Sequence, residues 1–481
     1  MSSKLLTALV LATLMGFRAE AQESDLQRIA DMLDVSTTKT FQFTASGSMY
    51  SVGQSTSPAA PWPRQFVKSM TRVYDFTTGA MRDTVVRMAA DTPTIGPEQQ
   101  GVAVVSGDLA WNVAGKETRA RLFEASERAH QIVISPHGLM RAAFANNAAV
   151  SKRTIDGRQM TTISFTDRGK HKVVAYANDQ NAIERADSSY ASPVVGDINV
   201  VTYYGTYRDF GGIKFPSKII QYQDGKPSLD VTITAVSANR PVDIEVPANV
   251  RDNPVAAKSE KVADGVWYIS GPAGNNSVLI EMKDYLIVVE APHGEQRSLA
   301  VMGEIKKLVP NKPIKYLVNT HHHFDHASGL RAYAADGVTI VTHEINRPYF
   351  ERAALNSWSL GPDRLSQSKK KPVFQSMGDN MVLTDGTRSV ELYQIVGNVH
   401  HDGIVMAYLR KEKLLIEADV FTPGPVGAEP PKVPSPSAVN LEANVRRLNI
   451  DVDRIVSIHQ RVVPYSDLLT AIGKKPAPAA K

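Results

Sequence analysis

The feature that most constrains the fold of this chain is the run HHHFDH at residues 321–326, where four histidines and an aspartate occupy six positions. The whole chain of 481 residues has only 12 histidines. The preceding run IKYLVN predicts a buried strand, and the alternation of an extended chain sends His321 and His323 to one face. Imidazoles this close raise one another's cost of protonation unless a cation neutralises the site. The fold must therefore hold a metal-ligating cluster at a strand end.

Further potential ligands follow downstream, each beside a predicted apolar strand. His400 and His401 precede one strand, Asp419 ends a second and His459 ends a third. Ligand-binding residues of α/β folds gather at strand ends. Imidazole and carboxylate groups suit zinc, and a pair of metal ions needs about six or seven of them. The sequence therefore provides enough ligands for two ions.

The composition limits the other possibilities. Apolar residues make up 43% of the chain and charged residues 21%, which is typical of globular proteins, and the length predicts two or three domains. The sequence contains no cysteine, which excludes disulfides and thiolate ligands. The formal net charge is +5, and no basic stripe with interleaved aromatic residues accompanies it. We therefore expect no nucleic-acid partner.

The first 21 residues have the anatomy of a secretory signal peptide. An apolar run extends from Leu5 to Phe17 and is followed by the small-x-small cleavage pattern Ala19-Glu20-Ala21. The run falls short of the roughly 20 residues that a spanning helix needs, so no stable membrane span is expected. The sequence predicts a mature protein that begins near Gln22 and is periplasmic or secreted.

The pattern of the remaining chain changes once. Residues 22–250 mostly alternate apolar with polar residues and predict a β-rich accessory domain, interrupted by helices at SDLQRIADMLDV and HGLMRAAFAN. Residues 251–264 lie in a polar stretch without periodicity and predict a linker. Residues 265–474 predict β-rich runs and then strands that alternate with helices, ahead of a tail at 475–481. The fold class is therefore α+β.

The motif H-x-H-x-D-H at His321–His326, with His400, Asp419 and His459 at later strand ends, resembles the metallo-β-lactamase superfamily over about residues 262–474. The resemblance implies an αββα sandwich of four layers with two zinc ions in a cleft at the sheet edges. The family usually carries H-x-x-G or H-x-x-[DN] at the fourth ligand, and HHDG fits with His400 leading rather than His401. The resemblance then implies these ligands: His321, His323 and His400 for the first ion, Asp325, His326 and His459 for the second, and Asp419 as the bridge.

Such a pair of ions would produce hydroxide near neutral pH, with Asp325 as the catalytic residue that orients it. The expected function is an exported dinuclear zinc hydrolase of a small molecule with an ester, lactone, thioester, phosphodiester or related bond. Two-zinc β-lactamases of the family carry cysteine or serine where Asp419 stands, so β-lactam hydrolysis is expected only as a side activity. The alternative is a periplasmic binding or carrier protein with a relic metal domain. The N-terminal half weakly resembles the β domains of periplasmic lipoprotein carriers, and the oligomeric state stays open.

The chain also departs from the family pattern. The family often has aspartate where Glu290 stands and glycine where Gln460 stands, which predicts a displaced contact to the ligand loop and a narrower cleft wall. His293 and His343 match no ligand position and are interpreted as structural or cleft-lining residues. Three aromatic residues either line the substrate cleft or pack beneath loops: Phe324, Trp358 and Phe421.

Overall fold

A computed structural model describes residues 24–90, 98–252, 255–271 and 274–474. The predicted signal peptide and the predicted tail lie outside these residues. A large antiparallel sheet comes first, and two smaller sheets with helices follow it. The α+β class predicted from the sequence is confirmed.

The strands of the N-terminal half fall into a large sheet and a small ribbon. In chain order they are β1 (Thr40–Tyr50), β2 (Arg64–Asp75), β3 (Ala80–Ala89), β4 (Gln99–Ser106), β5 (Leu109–Ala114), β6 (Glu117–Ala120), β7 (Ala149–Ile155), β8 (Arg158–Asp167), β9 (His171–Ala177), β10 (Ile183–Ser192), β11 (Gly196–Tyr204), β12 (Tyr207–Asp209), β13 (Lys214–Pro216), β14 (Lys218–Gln223) and β15 (Lys226–Ala238). The large sheet has 13 strands in the order β6-β5-β4-β3-β2-β1-β15-β14-β11-β10-β9-β8-β7, and β12 pairs with β13 separately.

The large sheet forms because its strands alternate buried with partly exposed side chains, as β9 and β14 do along their whole length. Its buried residues pack against helices α1 (24–32), α2 (Ala125–Val133) and α3 (Pro136–Ala145) in one core. Helix α3 begins where Ser135 accepts a hydrogen bond from Gly138 N–H at 3.0 Å, with Pro136 in the first turn. Both helices predicted in this half are present.

The C-terminal half contains two further sheets. The first has the order β16-β17-β18-β19-β20-β21-β22 and the second the order β23-β24-β25-β26-β27-β28. Their strands are β16 (Lys258–Ala263), β17 (Val266–Ser270), β18 (Ser277–Glu281), β19 (Leu286–Val289), β20 (Ile314–Val318), β21 (Thr339–His343), β22 (Val373–Met377), β23 (Asn380–Thr384), β24 (Ser389–Gln394), β25 (Val405–Leu409), β26 (Leu414–Glu417), β27 (Arg454–Ser457) and β28 (Val462–Pro464).

These two sheets face each other across one apolar core, to which strands of both contribute. A second core joins the first sheet to α5 (Glu295–Leu308), α7 (Leu330–Ala335) and α8 (Arg347–Leu355). A third joins the other sheet to α10 (Pro436–Arg447) and α11 (Tyr465–Ala471). The remaining helices are short: α4 (Ala248–Arg251), α6 (Phe324–Ala327) and α9 (Arg364–Ser368). The order helix, sheet, sheet, helix is the predicted αββα sandwich.

The segment between the halves differs from its sequence-based description. Residues 251–264 were predicted to be a linker, but Lys258–Ala263 pairs antiparallel with β17 as an edge strand of the first C-terminal sheet. Only Val262 of this strand is buried, so its sequence shows little apolar alternation. The hydrogen bonds of the neighbouring strand, rather than its own side chains, place it in the sheet.

The two halves are in direct contact. The Asp197 carboxylate accepts hydrogen bonds from Ser357 Oγ at 2.6 Å and from Leu360 N–H at 3.0 Å. Lys170 donates to the Leu360 carbonyl at 2.5 Å. The start of β11 and the turn between β8 and β9 thereby hold the segment that precedes α9. The helices within the described ranges are all too short or too polar to cross a membrane.

Candidate metal centre

The first ligands come from the loop that follows β20. The chain stays extended from Asn319 to His323 and then turns into α6, which begins at Phe324. The Asn319 side-chain amide donates to the His321 carbonyl at 2.7 Å and holds the loop in shape. His321 and His323 are 1% exposed or less, and their rings lie 4.3 Å apart. The predicted strand and loop geometry is thus present.

Two groups of side chains could each hold a metal ion. The first is His321, His323, His400 and Asp419, and the second is Asp325, His326 and His459. Within each group, the potential ligand atoms all lie within 4.8 Å of one another. These are the seven residues selected from the sequence, and Asp419, for which the resemblance implied a bridging position, lies in the first group.

Asp419 lies between the two groups. Its Oδ2 is 3.1 Å from His321 Nε2, 3.0 Å from His400 Nε2 and 2.9 Å from His326 Nε2. Its Oδ1 is in close contact with His459 Nε2. One carboxylate therefore faces imidazoles of both groups, which is the position that a bridging ligand needs.

The free nitrogens of the first group indicate that a cation fits there. Within the described residues, His321 Nε2, His323 Nδ1 and His400 Nε2 are buried without a hydrogen-bond partner of suitable geometry. The other nitrogens of two rings are bound, since His321 Nδ1 lies 2.9 Å from Thr320 Oγ1 and His323 Nε2 lies 2.9 Å from the Ser55 carbonyl. Three buried lone pairs that converge on one carboxylate are costly unless a cation accepts them.

Burial and neighbouring charges set the protonation of the cluster. Burial lowers the pKa of His323 to about 3 and that of His321 well below its usual value. Burial also lowers the pKa of His326, but Asp419, Asp325 and Glu290 outweigh it and hold this pKa well above the usual value. Burial alone would raise the pKa of Asp419, but His326, His459 and His400 keep it well below the usual range. His321 and His323 are therefore neutral and Asp419 is ionised near neutral pH, as metal ligands must be, whereas the surrounding carboxylates favour a proton on His326.

Glu290 supports the ligand loop directly. Its Oε1 accepts the Thr320 N–H at 2.8 Å, and its Oε2 lies 2.5 Å from His326 Nδ1. The sequence predicts that a glutamate at this position displaces the contact to the ligand loop, and that prediction is wrong. Glu290 adopts a left-handed φ of +73°, which turns its longer side chain back under the loop. Because Glu290 binds Nδ1 of His326, the other ring nitrogen, Nε2, faces Asp419.

The structure separates His400 from His401. His401 is fully buried, its Nδ1 accepts the Gly403 N–H at 2.9 Å, and its Nε2 lies 2.6 Å from His322 Nδ1. Both His401 nitrogens therefore have partners outside the cluster. His400 instead directs an unpartnered Nε2 towards Asp419. This arrangement favours His400 as the ligand.

Several backbone positions around the cluster are strained. Asp419 has a φ of +63°, His293 of +61° and Gln460 of +88°. Such conformations cost non-glycine residues on the order of 1–3 kcal/mol each and persist where the surroundings enforce them. The Asp419 turn is enforced by Glu417, whose Oε2 accepts the N–H groups of Val420 at 3.1 Å and Phe421 at 3.0 Å. Burial raises the pKa of Glu417 to about 7.

Three contacts to the cluster were not found from the sequence. Gln54 Nε2 donates to Asp325 Oδ1 at 2.8 Å, and the Ser55 carbonyl contacts His323 as described above. Asn275 Nδ2 donates to Asp325 Oδ2 at 3.2 Å, and its backbone bridges to His459. The polar pair at 275–276 before an apolar strand could have indicated Asn275. Nothing in the sequence near Gln54 indicates a contact 271 residues away.

Some residues considered as cleft-lining have packing roles. His293 Nε2 lies 2.6 Å from Arg121 Nη1, and Trp358 packs under Arg331, whose Cζ is 3.4 Å from the ring centroid. Phe421 is 5% exposed and belongs to the core under α10 and α11. His343 Nδ1 accepts the Ile345 N–H at 3.3 Å. Packing and structural hydrogen bonds are thus the observed roles of His293, Trp358 and His343, whereas Phe421 packs in this core and also lines a cavity.

A cavity of about 610 Å³ opens beside the cluster. It lies between the segment that follows Asp419 and one side of α11, and its charged lining residues include Arg461 and Asp467. Its lining also includes Phe421, Pro425 and Glu429. A cavity of this size can take a small organic molecule with one end next to Asp419.

Comparisons with known proteins give a family match and several similar solved structures. Residues 270–459 match the model of the family described as the metallo-beta-lactamase superfamily. No curated protein matches the chain. Similar solved structures include a metallo-beta-lactamase from Pontibacter korlensis, at 17% identity and a TM-score of 0.35, covering 45% of this chain and 97% of that one. A metallo-beta-lactamase from Hirschia baltica shares 19% identity at a TM-score of 0.34, with 45% and 96% covered.

Rubredoxin oxygen:oxidoreductase from Desulfovibrio gigas is also similar, at 16% identity and a TM-score of 0.36, covering 45% of this chain and 61% of that one. The family match spans β18 to β27 and includes every residue of the two ligand groups. Residues 270–459 of this chain are therefore similar to the metallo-β-lactamase superfamily over the whole candidate metal centre.

Proposed function

We propose that the protein is an exported hydrolase that uses two zinc ions at the candidate metal centre. The observation that carries this proposal is the position of Asp419 between two complete ligand groups. His321, His323 and His400 would hold one ion, Asp325, His326 and His459 the other, and Asp419 both. A relic site would have no reason to keep all seven groups in place.

The donor set favours zinc. It consists of imidazole nitrogens and carboxylate oxygens without thiolate, and zinc binds such donors readily. A pair of zinc ions supplies Lewis acidity and lowers the pKa of coordinated water towards neutrality. Hydrolysis is the reaction class that needs this chemistry.

The carboxylate of Asp325 is suited to orient the attacking water. Burial opposes its ionisation, but His326 and His459 keep the pKa of Asp325 well below the usual range. Its Oδ1 accepts from Gln54 and its Oδ2 from Asn275, so the carboxylate plane is fixed. A fixed, ionised carboxylate at the cluster can accept a hydrogen bond from water and so hold that water in one orientation.

The cavity beside Asp419 is the proposed substrate site. Its lining combines Arg461 with the carboxylates of Asp467 and Glu429, and Val426 and Val433 in the neighbouring proline-rich segment are 86% and 78% exposed. These features suit a small molecule that has both an apolar part and a polar part. The scissile bond would be an ester, lactone, thioester, phosphodiester or related bond.

The test is a hydrolysis assay of the purified protein against esters, lactones, thioesters, phosphodiesters, sulfate esters and β-lactams, with and without chelator. We expect one class to be hydrolysed, chelator to abolish the activity and added zinc to restore it. Elemental analysis should give two zinc ions per chain. A protein that binds no metal after careful loading would contradict the proposal and favour the carrier alternative.

Export forms a separate part of the proposal. It rests on the signal-peptide pattern of residues 1–21. Expression of the full chain in a bacterium with a periplasm should give a periplasmic product whose first residue is close to Gln22. N-terminal sequencing of that product checks this, and an uncleaved product in the cytoplasm would contradict it.

A further inference from the structure

We propose that the N-terminal half is part of the metal centre, through the loop that joins β1 to β2. This β1–β2 loop comprises residues 51–63. It reaches the ligands at two points, and we assign Gln54 as the residue that positions Asp325. The inference rests on the proposed function, since it concerns how the same metal site is held.

The contact of Gln54 is directional. Its amide Nε2 donates to Asp325 Oδ1 at 2.8 Å, while Asp325 Oδ2 lies 3.5 Å from His326 Nε2 in the second ligand group. Gln54 thus holds one carboxylate oxygen, and the other, which also accepts from Asn275, faces the site of the second ion. A hydrogen bond of this kind orients a metal ligand and affects affinity about 10- to 100-fold.

The second contact is made by the Ser55 backbone. Its carbonyl accepts from His323 Nε2 at 2.9 Å, and a carbonyl oxygen can only accept. Neutral His323 therefore carries its proton on Nε2 and keeps its lone pair on Nδ1. That Nδ1 is the buried, unpartnered atom of the first ligand group.

The loop also contacts His322, which is hydrogen-bonded to His401. Because His401 Nδ1 accepts from Gly403 N–H, neutral His401 carries its proton on Nε2 and donates to His322 Nδ1. His322 then donates from Nε2 to Ser55 Oγ, 3.2 Å away. A chain of hydrogen bonds thus connects the loop to His322 and His401, which follow the potential ligands His321 and His400 in the sequence.

The position of the loop is built into the fold. Gly53 has a φ of +71°, and a Cβ there would lie 2.3 Å from Phe324 Cδ1. Asp402 N–H donates to the Thr56 carbonyl at 2.7 Å. The loop is therefore seated between the segment that carries Asp325 and the segment that carries His400.

A second element of the N-terminal half supports the same turn. Arg121 Nη1 contacts His293 Nε2 at 2.6 Å, and Phe123 stacks on the His293 ring at 5.1 Å. The His293 N–H donates to the Asp325 carbonyl at 3.2 Å. Gln54 thus holds the side chain of Asp325 directly, and Arg121 and Phe123 support its backbone through His293. Two separate parts of the N-terminal half therefore support the same residue.

The test compares Gln54→Met and Gln54→Glu with the wild-type full-length protein. Methionine keeps the length of the side chain without the donor, and glutamate keeps the shape but places a carboxylate beside Asp325. The matched control is Gln65→Met, because Gln65 donates to Ser51 Oγ at 2.8 Å at the base of the same loop. Zinc-loaded proteins are exposed to increasing chelator, and the retained zinc is measured by elemental analysis.

We expect Gln54→Met to lose one of its two zinc ions at about ten-fold lower chelator concentration, with the other ion retained as in the wild type. Gln54→Glu should lose it more easily still, and Gln65→Met should match the wild type. If Gln54→Glu behaves as the wild type does, the role is packing and the assignment is wrong. Equal weakening in Gln65→Met would likewise overturn the role of the Gln54 amide.

The same experiment separates this inference from the proposed function. A wild-type protein that binds no zinc contradicts the proposed function and the inference together. A wild-type protein that binds two zinc ions, with Gln54→Met unchanged, contradicts the inference alone. Circular dichroism of each variant confirms that the comparison is made between folded proteins.

Discussion

Both halves of the molecule bury histidines, but they use them differently. In the N-terminal half, burial lowers the pKa of His130 and of His137 to about 3. In the C-terminal half, burial lowers the pKa of His323 to about 3 as well. The depressed pKa is therefore common to both and does not distinguish a structural histidine from a potential ligand.

The surroundings make the distinction. His137 lies among aromatic rings, with its ring centroid 4.4 Å from that of Phe41, and His130 Nε2 lies 2.8 Å from Ser188 Oγ. Each of these histidines also has one unpartnered nitrogen, but the two do not belong to a common ligand group. The free nitrogens of the C-terminal histidines converge on one carboxylate. Convergence, rather than burial or an unpartnered nitrogen, identifies the metal centre.

The largest effect is expected from Asp419→Asn. Asp419 is the charge that both ligand groups share, so its loss should remove at least one zinc ion and lower turnover more than about 100-fold, beyond the usual effect of outer contacts. Elemental analysis and an assay on the best substrate measure this. Secondary structure should be retained by circular dichroism. Activity that survives the change would contradict the two-metal mechanism.

The paired variants His400→Ala and His401→Ala sharpen the comparison within the C-terminal half. His400→Ala should lower the zinc content because its free Nε2 faces Asp419. His401→Ala should keep both ions and lower stability by about 1–3 kcal/mol, since His322 loses a buried partner. Zinc content and urea unfolding test this pair, and the reverse result would make His401 the ligand.

A smaller effect is expected from Glu290→Gln. Glutamine keeps the acceptor for Thr320 N–H but cannot also accept from His326 Nδ1. We expect zinc affinity to fall about 10- to 100-fold. The control is Glu391→Gln, whose carboxylate pairs with Arg410 instead of a ligand. Chelator competition measures both, and an unchanged affinity in Glu290→Gln would show that Glu290 is not needed to orient His326.

The smallest effect concerns the N-terminal histidines and pH. The folded pKa of His137, about 3, lies below the unfolded value of about 6.5, so the unfolded chain binds more protons between these values. The contribution of neutral His137 to the free energy of unfolding is therefore fully present above pH 6.5 and is lost as the pH falls towards 3. At pH 5 the loss for this group is about 2 kcal/mol.

The variant His137→Gln cannot take up this proton. Its loss of unfolding free energy between pH 7.5 and pH 5 should be about 2 kcal/mol smaller than that of the wild type. Its zinc content should be unchanged. Urea unfolding at both pH values measures the difference, and an equal pH dependence in the two proteins would mean that His137 is solvated or already charged in the folded state.

Much of the C-terminal half could be predicted because its signals are local. His321, His323, Asp325 and His326 lie within six residues, and the apolar strands before Asp419 and His459 are short and uninterrupted. The strand Lys258–Ala263 could not be found in this way, since its place depends on hydrogen bonds to β17 rather than on its own apolar pattern. The left-handed backbone conformation of Glu290 could not be predicted from the sequence either, because the neighbouring residues impose this φ on a glutamate.

The sequence by itself determined the fold class, the change of pattern between the halves and the seven potential ligands. Alternation within a strand and the donor chemistry of imidazole and carboxylate are properties of a few neighbouring residues, so they are visible without a structure. Only the tertiary structure decided that His401 pairs with Gly403 and His322, and that Gln54 and Ser55 reach the ligands. These outcomes depend on which distant segments the packed sheets bring within hydrogen-bond distance, and 271 residues separate Gln54 from Asp325.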